Sequence, residues 1–375
     1  MEFTYCKLID VLSDIHSGGT PSTEESSYWG GNIKWLSSGE TSQRFISDTV
    51  DKITEEGVKN SSTKLAKKNN IVMACAGQGK TRGQTSYLLD DMYINQSVIA
   101  LATKTSVLPL YLFYDLSSRY EELRGGSDAS STRGSITTTA LKNMPFKYPD
   151  LSIQQYIVDI LFGYDSLIEA NNRRIELLEQ TAQELYKEWF VRFRFPGHEN
   201  TKFENGLPEG WKCCRLGKIM SFGAGKTRPE SGETYPVYGG NGILDYCNYY
   251  NNENAIVIGR VGAYCGTVYY EPDKCWISDN ALFAESKNNA HFYNYYLLKN
   301  MNLNTRQIGT GQPLITQSLL NKIKILLAPD WLILKYDRIA FDLLKKQNTL
   351  RKQNINLAEQ RDMLLPRLMS GKLEV

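Results

Sequence analysis

From Ile153 onward, apolar residues stand at Ile153, Tyr156, Ile157, Ile160, Leu161, Tyr164, Leu167, Ile168, Ile175, Leu178, Ala182, Leu185 and Trp189, and Gly becomes scarce. Steps of three and four residues put these side chains on one stripe of an α-helix. The stripe runs to about Arg192 and stops before Pro196-Gly197. About 40 residues rising ~1.5 Å each make a helix roughly 60 Å long, more than a globular domain needs.

A second stripe follows Pro329: Ile333, Tyr336, Ala340, Leu343, Gln347, Leu350, Asn354, Leu357, Arg361, Leu364 and Leu368. Its unbroken alternation of three and four is the heptad seam of a coiled coil, which should end near Ser370-Gly371. Polar residues at Gln347, Asn354 and Arg361 are expected to weaken the seam while fixing register. The two stripes are related by an offset of about 180 residues. That offset pairs Pro149 with Pro329, Asp150 with Asp330, Ile153 with Ile333, Tyr156 with Tyr336 and Ile175 with Ile355. It also pairs Leu177 with Leu357, Glu179 with Glu359, Gln180 with Gln360 and Leu185 with Leu365.

The segments before each stripe have another texture. Short strand-like runs such as Ile71-Val72-Met73-Ala74, Ser97-Val98-Ile99-Ala100-Leu101, Ala255-Ile256-Val257-Ile258 and Ala281-Leu282-Phe283 are separated by Gly, Asn, Asp and Ser turns. They repeat more faintly, Leu8, Val11, Ser13 and Thr20 answering Leu216, Ile219, Ser221 and Thr227. The reading is an α+β protein in four pieces. Two mixed, mainly β globules, residues 1–151 and 196–329, are joined by two long α-helices, 152–195 and 330–375, packed as an antiparallel coiled coil. The expected seam is Ile153, Ile157, Ile160, Tyr164, Leu178 and Leu185 against Ile333, Tyr336, Leu343, Leu350, Leu357 and Leu364. Neither helix can hide its stripe alone, so pairing as a rod with a globule at each end is the economical solution.

Composition narrows the function. With 375 residues and 41% hydrophobic content the chain is too long for one ordinary core and too apolar for disorder. It has no apolar run long enough to span a membrane, and Met1–Cys6 lacks the basic stretch of a signal peptide. Seven irregularly spaced Cys suit a reducing cytoplasm. A formal charge of +2 is not that of a polycation, so any nucleic-acid contact is local or shared with partners.

The search for an enzyme comes up empty. Ala74–Thr81 and Phe222–Thr227 imitate phosphate loops, but the first runs into a poor helix start and the second has Met220 where a small residue belongs. Phe222-Gly223-Ala224-Gly225 resembles a methyl-donor loop without the motif that would orient a target amine. Pro272-Asp273 with Glu285-Ser286-Lys287 makes a permissive nuclease pattern, yet Glu271–Lys274 reads more naturally as a turn between strands. Neither the adjacent Cys213-Cys214 nor the scattered His16, His198 and His291 have metal-ligand spacing.

Recognition remains. Arg and Lys can bond guanine edges and Asn or Gln adenine in the major groove, and Gly-flanked loops let backbone approach phosphates. The candidates for DNA contact are Lys80, Arg82, Gln84, Arg124 and Arg133 in the first globule. In the second they are Lys226, Arg228, Asn241, Arg260, Tyr264, Arg306 and Gln312.

The chain resembles the specificity subunit of type I restriction-modification systems. The likeness lies in Gly18-Gly19-Thr20-Pro21-Ser22 with Tyr28-Trp29, Gly134-Ser135-Ile136, Ile175-Glu176-Leu177-Leu178 and Leu185–Phe190. Tyr238-Gly239-Gly240-Asn241-Gly242 and the closing Leu364–Gly371 complete it, so it covers essentially the whole chain. It implies two target-recognition domains, each reading one half of a bipartite site on double-stranded DNA. It implies helices that act as ruler and as dock for two methyltransferase subunits, with restriction and motor subunits joining through that core. S-adenosylmethionine, ATP and Mg²⁺ would sit on those partners, leaving this chain non-catalytic, without metal or cofactor, and cytoplasmic. The rival readings are a stand-alone DNA-binding nuclease and a coiled-coil adaptor that binds no nucleic acid.

Overall fold

A computed structural model describes residues 2–77, 80–128, 134–306 and 313–373. The chain divides into two compact units, Met1–Ile168 with Ile355–Val375, and Glu169–Asn354. Each unit holds one β-rich globule and a stretch of both long helices.

In unit 1 a five-stranded sheet runs in the order Leu12–Ser17, Val98–Thr103, Ile71–Ala74, Thr85–Leu88, Phe45–Ile46. Side chains alternate across a strand. Ile71, Met73, Ile99 and Leu101 therefore face one core, with Tyr111, Phe113 and Tyr114 of the helix Pro109–Ser118. Val72, Val98 and Ala100 face the other, against Leu36, Met92 and Ile94 of a four-stranded sheet. Cover on both faces explains why these strands read as unbroken apolar runs rather than alternating ones.

Unit 2 follows the same logic. Its six-stranded sheet runs Met220–Ala224, Ala281–Ser286, Asn252–Gly259, Val268–Ile277, Tyr235–Gly239, Gly242–Cys247. Ile256 and Ile258 enter the main core while Ala255 and Val257 enter a smaller one on the opposite face. One expectation is corrected. Glu271-Pro272-Asp273-Lys274 is not a turn but lies inside the strand Val268–Ile277, where the pairing register slips opposite Glu253 and Ala255. A bulge tolerates the proline there, which cannot donate to a ladder.

The long helices span Leu151–Phe190 and Asp330–Ser370. Asp150 caps the first, its Oδ1 accepting from the amides of Ser152 and Ile153 at 3.0 Å each. Gly371, at φ +77°, closes the second in the left-handed conformation that glycine adopts without strain. In unit 1 Ile157 and Leu161 share a core with Leu365 and Leu368. In unit 2 Ala182, Tyr186 and Trp189 share one with Leu332, Ile333, Tyr336 and Ala340. Within unit 2, Asn171 meets Asn354, Glu179 meets Gln347, and the Tyr336 hydroxyl donates to the Ala182 carbonyl at 2.8 Å. Rising numbers on one helix face falling numbers on the other, so the pair is antiparallel. The fold is thus the α+β arrangement expected, two mainly β globules with two long antiparallel helices.

The seam differs from the expected one in its middle. Ile157, Ile333 and Tyr336 are buried, and Ile153, Ile160, Leu185, Leu343 and Leu364 pack against the two main cores. Tyr164, Leu178, Leu350 and Leu357 are only half-buried. The polar positions, by contrast, are not weak points. Gln347 and Arg361 are buried, and each meets a partner on the first helix.

Candidate nucleic-acid interface

The loops that carry the candidate residues are built on the same frame in both units. In unit 1 the Leu8 amide donates to the Met144 carbonyl, Gly19 to Ile94, Cys75 to Ser97 and Ile136 to Cys75. In unit 2 the matching bonds run from Leu216 to Ile323, Lys226 to Ile277, Arg260 to Asn280 and Ile315 to Arg260, all between 2.8 and 3.1 Å. The short helices that follow are capped alike, Thr137 Oγ1 accepting from the Ala140 amide and Thr316 Oγ1 from the Leu319 amide, each at 3.1 Å. This frame makes Gly19 equivalent to Lys226, Cys75 to Arg260, Asn95 to Ser278 and, by position in the same turn, Gln96 to Asp279.

Glycines let the frame close. A Cβ on Gly18 would lie 1.8 Å from the Ile94 carbonyl oxygen, and one on Gly225 2.0 Å from that of Ser278. Both positions require bare backbone.

In unit 1, Lys80, Arg82, Gln84 and Arg124 come together around the loop that follows Ile71–Ala74. The Lys80 carbonyl accepts from the Tyr120 hydroxyl at 2.8 Å, and Arg124 Nη1 donates to that hydroxyl at 2.7 Å. Lys80 is exposed while Gln84 and Arg124 are half-buried. Arg82 is buried, with Nη1 donating to the Gly134 carbonyl at 2.7 Å, so its guanidinium braces the loop from within. Arg133 lies outside the described residues.

Unit 2 gathers Lys226, Asn241, Arg260 and Tyr264. A Cβ on Gly240 would lie 2.9 Å from the Val261 carbonyl, and one on Gly259 would lie 2.6 Å from the Gly240 carbonyl and 2.7 Å from that of Tyr264. Lys226 and Asn241 are exposed, Tyr264 is 52% exposed, and Arg260 is half-buried with Nη1 donating to the Asp279 carbonyl. Arg228 instead ion-pairs with Asp245, whose carboxyl is held down at about 2 by the Ser231 hydroxyl, a backbone amide and Arg228 itself. Arg306 is exposed and donates weakly to the Met301 carbonyl. Gln312 lies outside the described residues.

Sequence reasoning did not single out Thr20 or Gln96 as candidates. Thr20 Oγ1 donates to Gln96 Oε1 at 2.5 Å, which holds an exposed amide over the glycine floor. The available signal was the Gly18-Gly19-Thr20 run, matched by Gly225-Lys226-Thr227.

The enzyme-like patterns disperse in three dimensions. Neither phosphate-loop imitation opens a helix: the strands Thr85–Leu88 and Tyr235–Gly239 come next. Asp273 pairs with Lys352, Glu285 accepts from Ser221, and Lys287 donates to the Gly217 carbonyl. Among the described residues no group of three or more His, Cys, Asp or Glu could hold a metal ion. No described helix is long and apolar enough to cross a membrane.

The family model "Type I restriction modification DNA specificity domain" matches the chain twice, over residues 2–180 and 208–359. The chain is 26% identical to the type I restriction enzyme MjaIX specificity subunit of Methanocaldococcus jannaschii, over 98% of this chain and 93% of the relative. It is 26% identical to the type I restriction enzyme EcoprrI specificity subunit of Escherichia coli, over 84% and 82%. Its fold is similar to the crystal structure of the type I restriction-modification S subunit from M. genitalium, with a TM-score of 0.59 at 18% identity over 98% of this chain and 96% of that one. Two copies of a hydrogen-bonded loop frame, each inside a match to the family, make this chain a type I restriction-modification specificity subunit, a DNA-recognition component with two target-recognition domains rather than an enzyme.

Proposed function

We propose that this chain reads a bipartite duplex, each globule taking one half-site, while the long helices hold the two readings at a fixed separation. The observation that carries the proposal is the repeated frame with unlike side chains in it. Where unit 1 has Gly19, Cys75 and Gln96, unit 2 has Lys226, Arg260 and Asp279. A shared frame supports a shared task, and different donors and acceptors support different bases. Lys80, Gln84 and Arg124 serve the first reader, with Arg82 as its internal brace, and Lys226, Asn241, Arg260 and Tyr264 the second.

Two methyltransferase subunits dock on the helices, and restriction subunits join through them. In unit 2 a groove of about 760 Å³ lined by Leu177, Leu178 and Leu350 and rimmed by Arg174, Lys345 and Lys346 supports such a surface. S-adenosylmethionine, ATP and Mg²⁺ belong to those partners, and the assembly works in the cytoplasm. Replacing residues 196–329 with another recognition domain is expected to change one half-site and leave the other intact. Sequencing of duplexes selected by the chain with its methyltransferase partner reads this directly, and a change in both half-sites overturns it.

A further inference from the structure

Each globule carries an exposed side chain at the same point of one tight turn. In unit 1 the turn is Asn95-Gln96-Ser97-Val98, closed by the Val98 amide donating to the Asn95 carbonyl at 3.3 Å. In unit 2 it is Ser278-Asp279-Asn280-Ala281, closed by the Ala281 amide donating to the Ser278 carbonyl at 3.0 Å. Both turns are pinned by the loop frame. Gly18 and Cys75 donate to the Asn95 and Ser97 carbonyls, and Arg260 donates to that of Asn280. Asn95 and Ser278 are buried, whereas Gln96 and Asp279 are exposed. Cys75 Sγ lies 3.7 Å from the Gln96 carbonyl, which places Gln96 at the root of the loop bearing Lys80 and Gln84. Asp279 stands against Arg260, whose Nη1 donates to its carbonyl at 3.3 Å.

The two side chains offer opposite chemistry. Gln96 Oε1 accepts from the Thr20 hydroxyl at 2.5 Å. That separation suits O–H···O and is too short for N–H···O, so the amide turns its oxygen, not its nitrogen, toward Thr20. Among the described residues Gln96 Nε2 has no acceptor, and its two hydrogens remain as donors. Nothing among the described residues donates to the Asp279 carboxylate, and a carboxylate only accepts. In the major groove the keto bases present acceptors, guanine O6 and thymine O4. The amino bases present donors, adenine N6 and cytosine N4.

We propose that Gln96 and Asp279 are specificity-determining residues, Gln96 selecting a keto base in one half-site and Asp279 an amino base in the other. Thr20 is the positioning residue that keeps the Gln96 amide from turning over. An overturned amide presents Oε1 instead and selects the opposite class, so without Thr20 the glutamine reads both. The assignment rests on the bipartite reading above.

The test reads base identity, position by position, in duplexes selected from a random library by the full chain with its methyltransferase partner. Gln96→Glu keeps Oε1 beside Thr20 and exchanges only the free donor for an acceptor. It is expected to turn a keto preference of about tenfold into an amino preference at one position of one half-site, leaving the other half-site unchanged. Thr20→Val removes the hydroxyl at nearly constant shape and is expected to let that position accept both classes. Thr20→Ser, which restores the hydroxyl, is expected to restore the keto preference. Asp279→Asn is expected to lose an amino preference at one position of the opposite half-site.

Gln96→Ala decides the matter should the new carboxylate abolish binding, for it is expected to leave that single position open to all four bases. Weakening that is uniform over all positions, with base preferences unchanged, overturns the proposal and makes Gln96 a phosphate contact. Base preferences that Thr20→Val leaves untouched overturn the role of Thr20, and a second half-site untouched by Asp279→Asn overturns that of Asp279. In each of these cases the wild type still selects two half-sites, and the bipartite reading stands. A wild type that selects no paired half-sites overturns that reading and the assignment with it.

Discussion

Two carboxylates on the first long helix, Asp165 in unit 1 and Glu179 in unit 2, do the same job with different partners. Asp165 accepts from Arg44 Nε and Nη2 at 3.1 and 3.2 Å, from the Tyr114 hydroxyl at 2.8 Å and from Arg361. Glu179 accepts from Lys299 Nζ at 2.5 Å, the Tyr296 hydroxyl at 3.0 Å and Gln347 Nε2 at 3.3 Å. Burial, and then the neighbouring carboxylate, push both tyrosine hydroxyls far up, so they donate rather than ionise. Solvent is what separates the two sites. The Asp165 side chain is 3% exposed and that of Arg361 9%, whereas those of Glu179 and Lys299 are 25% and 30% exposed. Removing the Asp165 charge leaves the buried Arg361 guanidinium only its exposed neighbour Asp362 as a carboxylate partner, while a partly exposed lysine can turn to water. Asp165→Asn is therefore expected to cost about 3–5 kcal/mol. Glu179→Gln should cost only about 1–2 kcal/mol. Native-state hydrogen exchange, which reports each unit separately, checks the pair, and equal losses would break the comparison.

A second contrast between the units is their response to acid. In unit 1, burial pushes the Asp115 carboxyl up to about 6 against the pull of Arg119. Between about pH 4 and 6 the folded state keeps a proton that the unfolded chain releases, so stability falls as pH rises. The loss is on the order of 3 kcal/mol and is complete above pH 6. In unit 2, burial pushes His291 down to about 4. There the unfolded chain binds the extra proton between about pH 4 and 6.5, and stability rises with pH. Asp115→Asn should remove the falling contribution in unit 1 and raise its stability at neutral pH, and His291→Gln should remove the rising one in unit 2. Urea unfolding at intervals from pH 4 to 7 measures both. A variant whose slope matches the parent's would sink its half of the contrast.

The same division between what stays within one segment and what crosses between segments explains how much the sequence disclosed. The long helices were legible because steps of three and four at Ile153–Leu161 and Ile333–Leu343 are local and leave one geometry open to them. The central strands were legible as apolar runs, but their order was not, since Ile71–Ala74 lies between Val98–Thr103 and Thr85–Leu88 for reasons spread over the whole globule. Gln347, Asn354 and Arg361 read as defects because their partners stand about 180 residues away. Asp165 and Glu179 gave no sign of their buried partners, for a carboxylate on a helix looks like a solvated face until the second helix covers it. Among the candidate readers, glycine-flanked loops marked Lys80, Lys226 and Arg260, yet could not tell that Arg82 turns inward to Gly134. Gln96 was invisible because its support, Thr20, lies on a different loop.

The smallest expected effect is also the one that asks whether the repeat is energetic as well as geometric. Thr137 and Thr316 occupy the same place in the two frames and make the same 3.1 Å bond to the amide three residues on. Each caps a short helix, Thr138–Asn143 and Gln317–Lys322, which leads into the strand closing its globule. An unpaired amide at a helix N-terminus costs about 1 kcal/mol, so Thr137→Ala and Thr316→Ala should each lose about that much. The sites share no partner, and the double variant should lose the sum of the two to within about 0.5 kcal/mol. Matched single losses would mean that duplication preserved the energetics of the loop frame while the side chains it displays diverged. A difference of more than about 1 kcal/mol between the two singles would mean that one frame has come to depend on contacts the other lacks, and that Gly19 and Lys226 cannot be exchanged between readers without rebuilding their support.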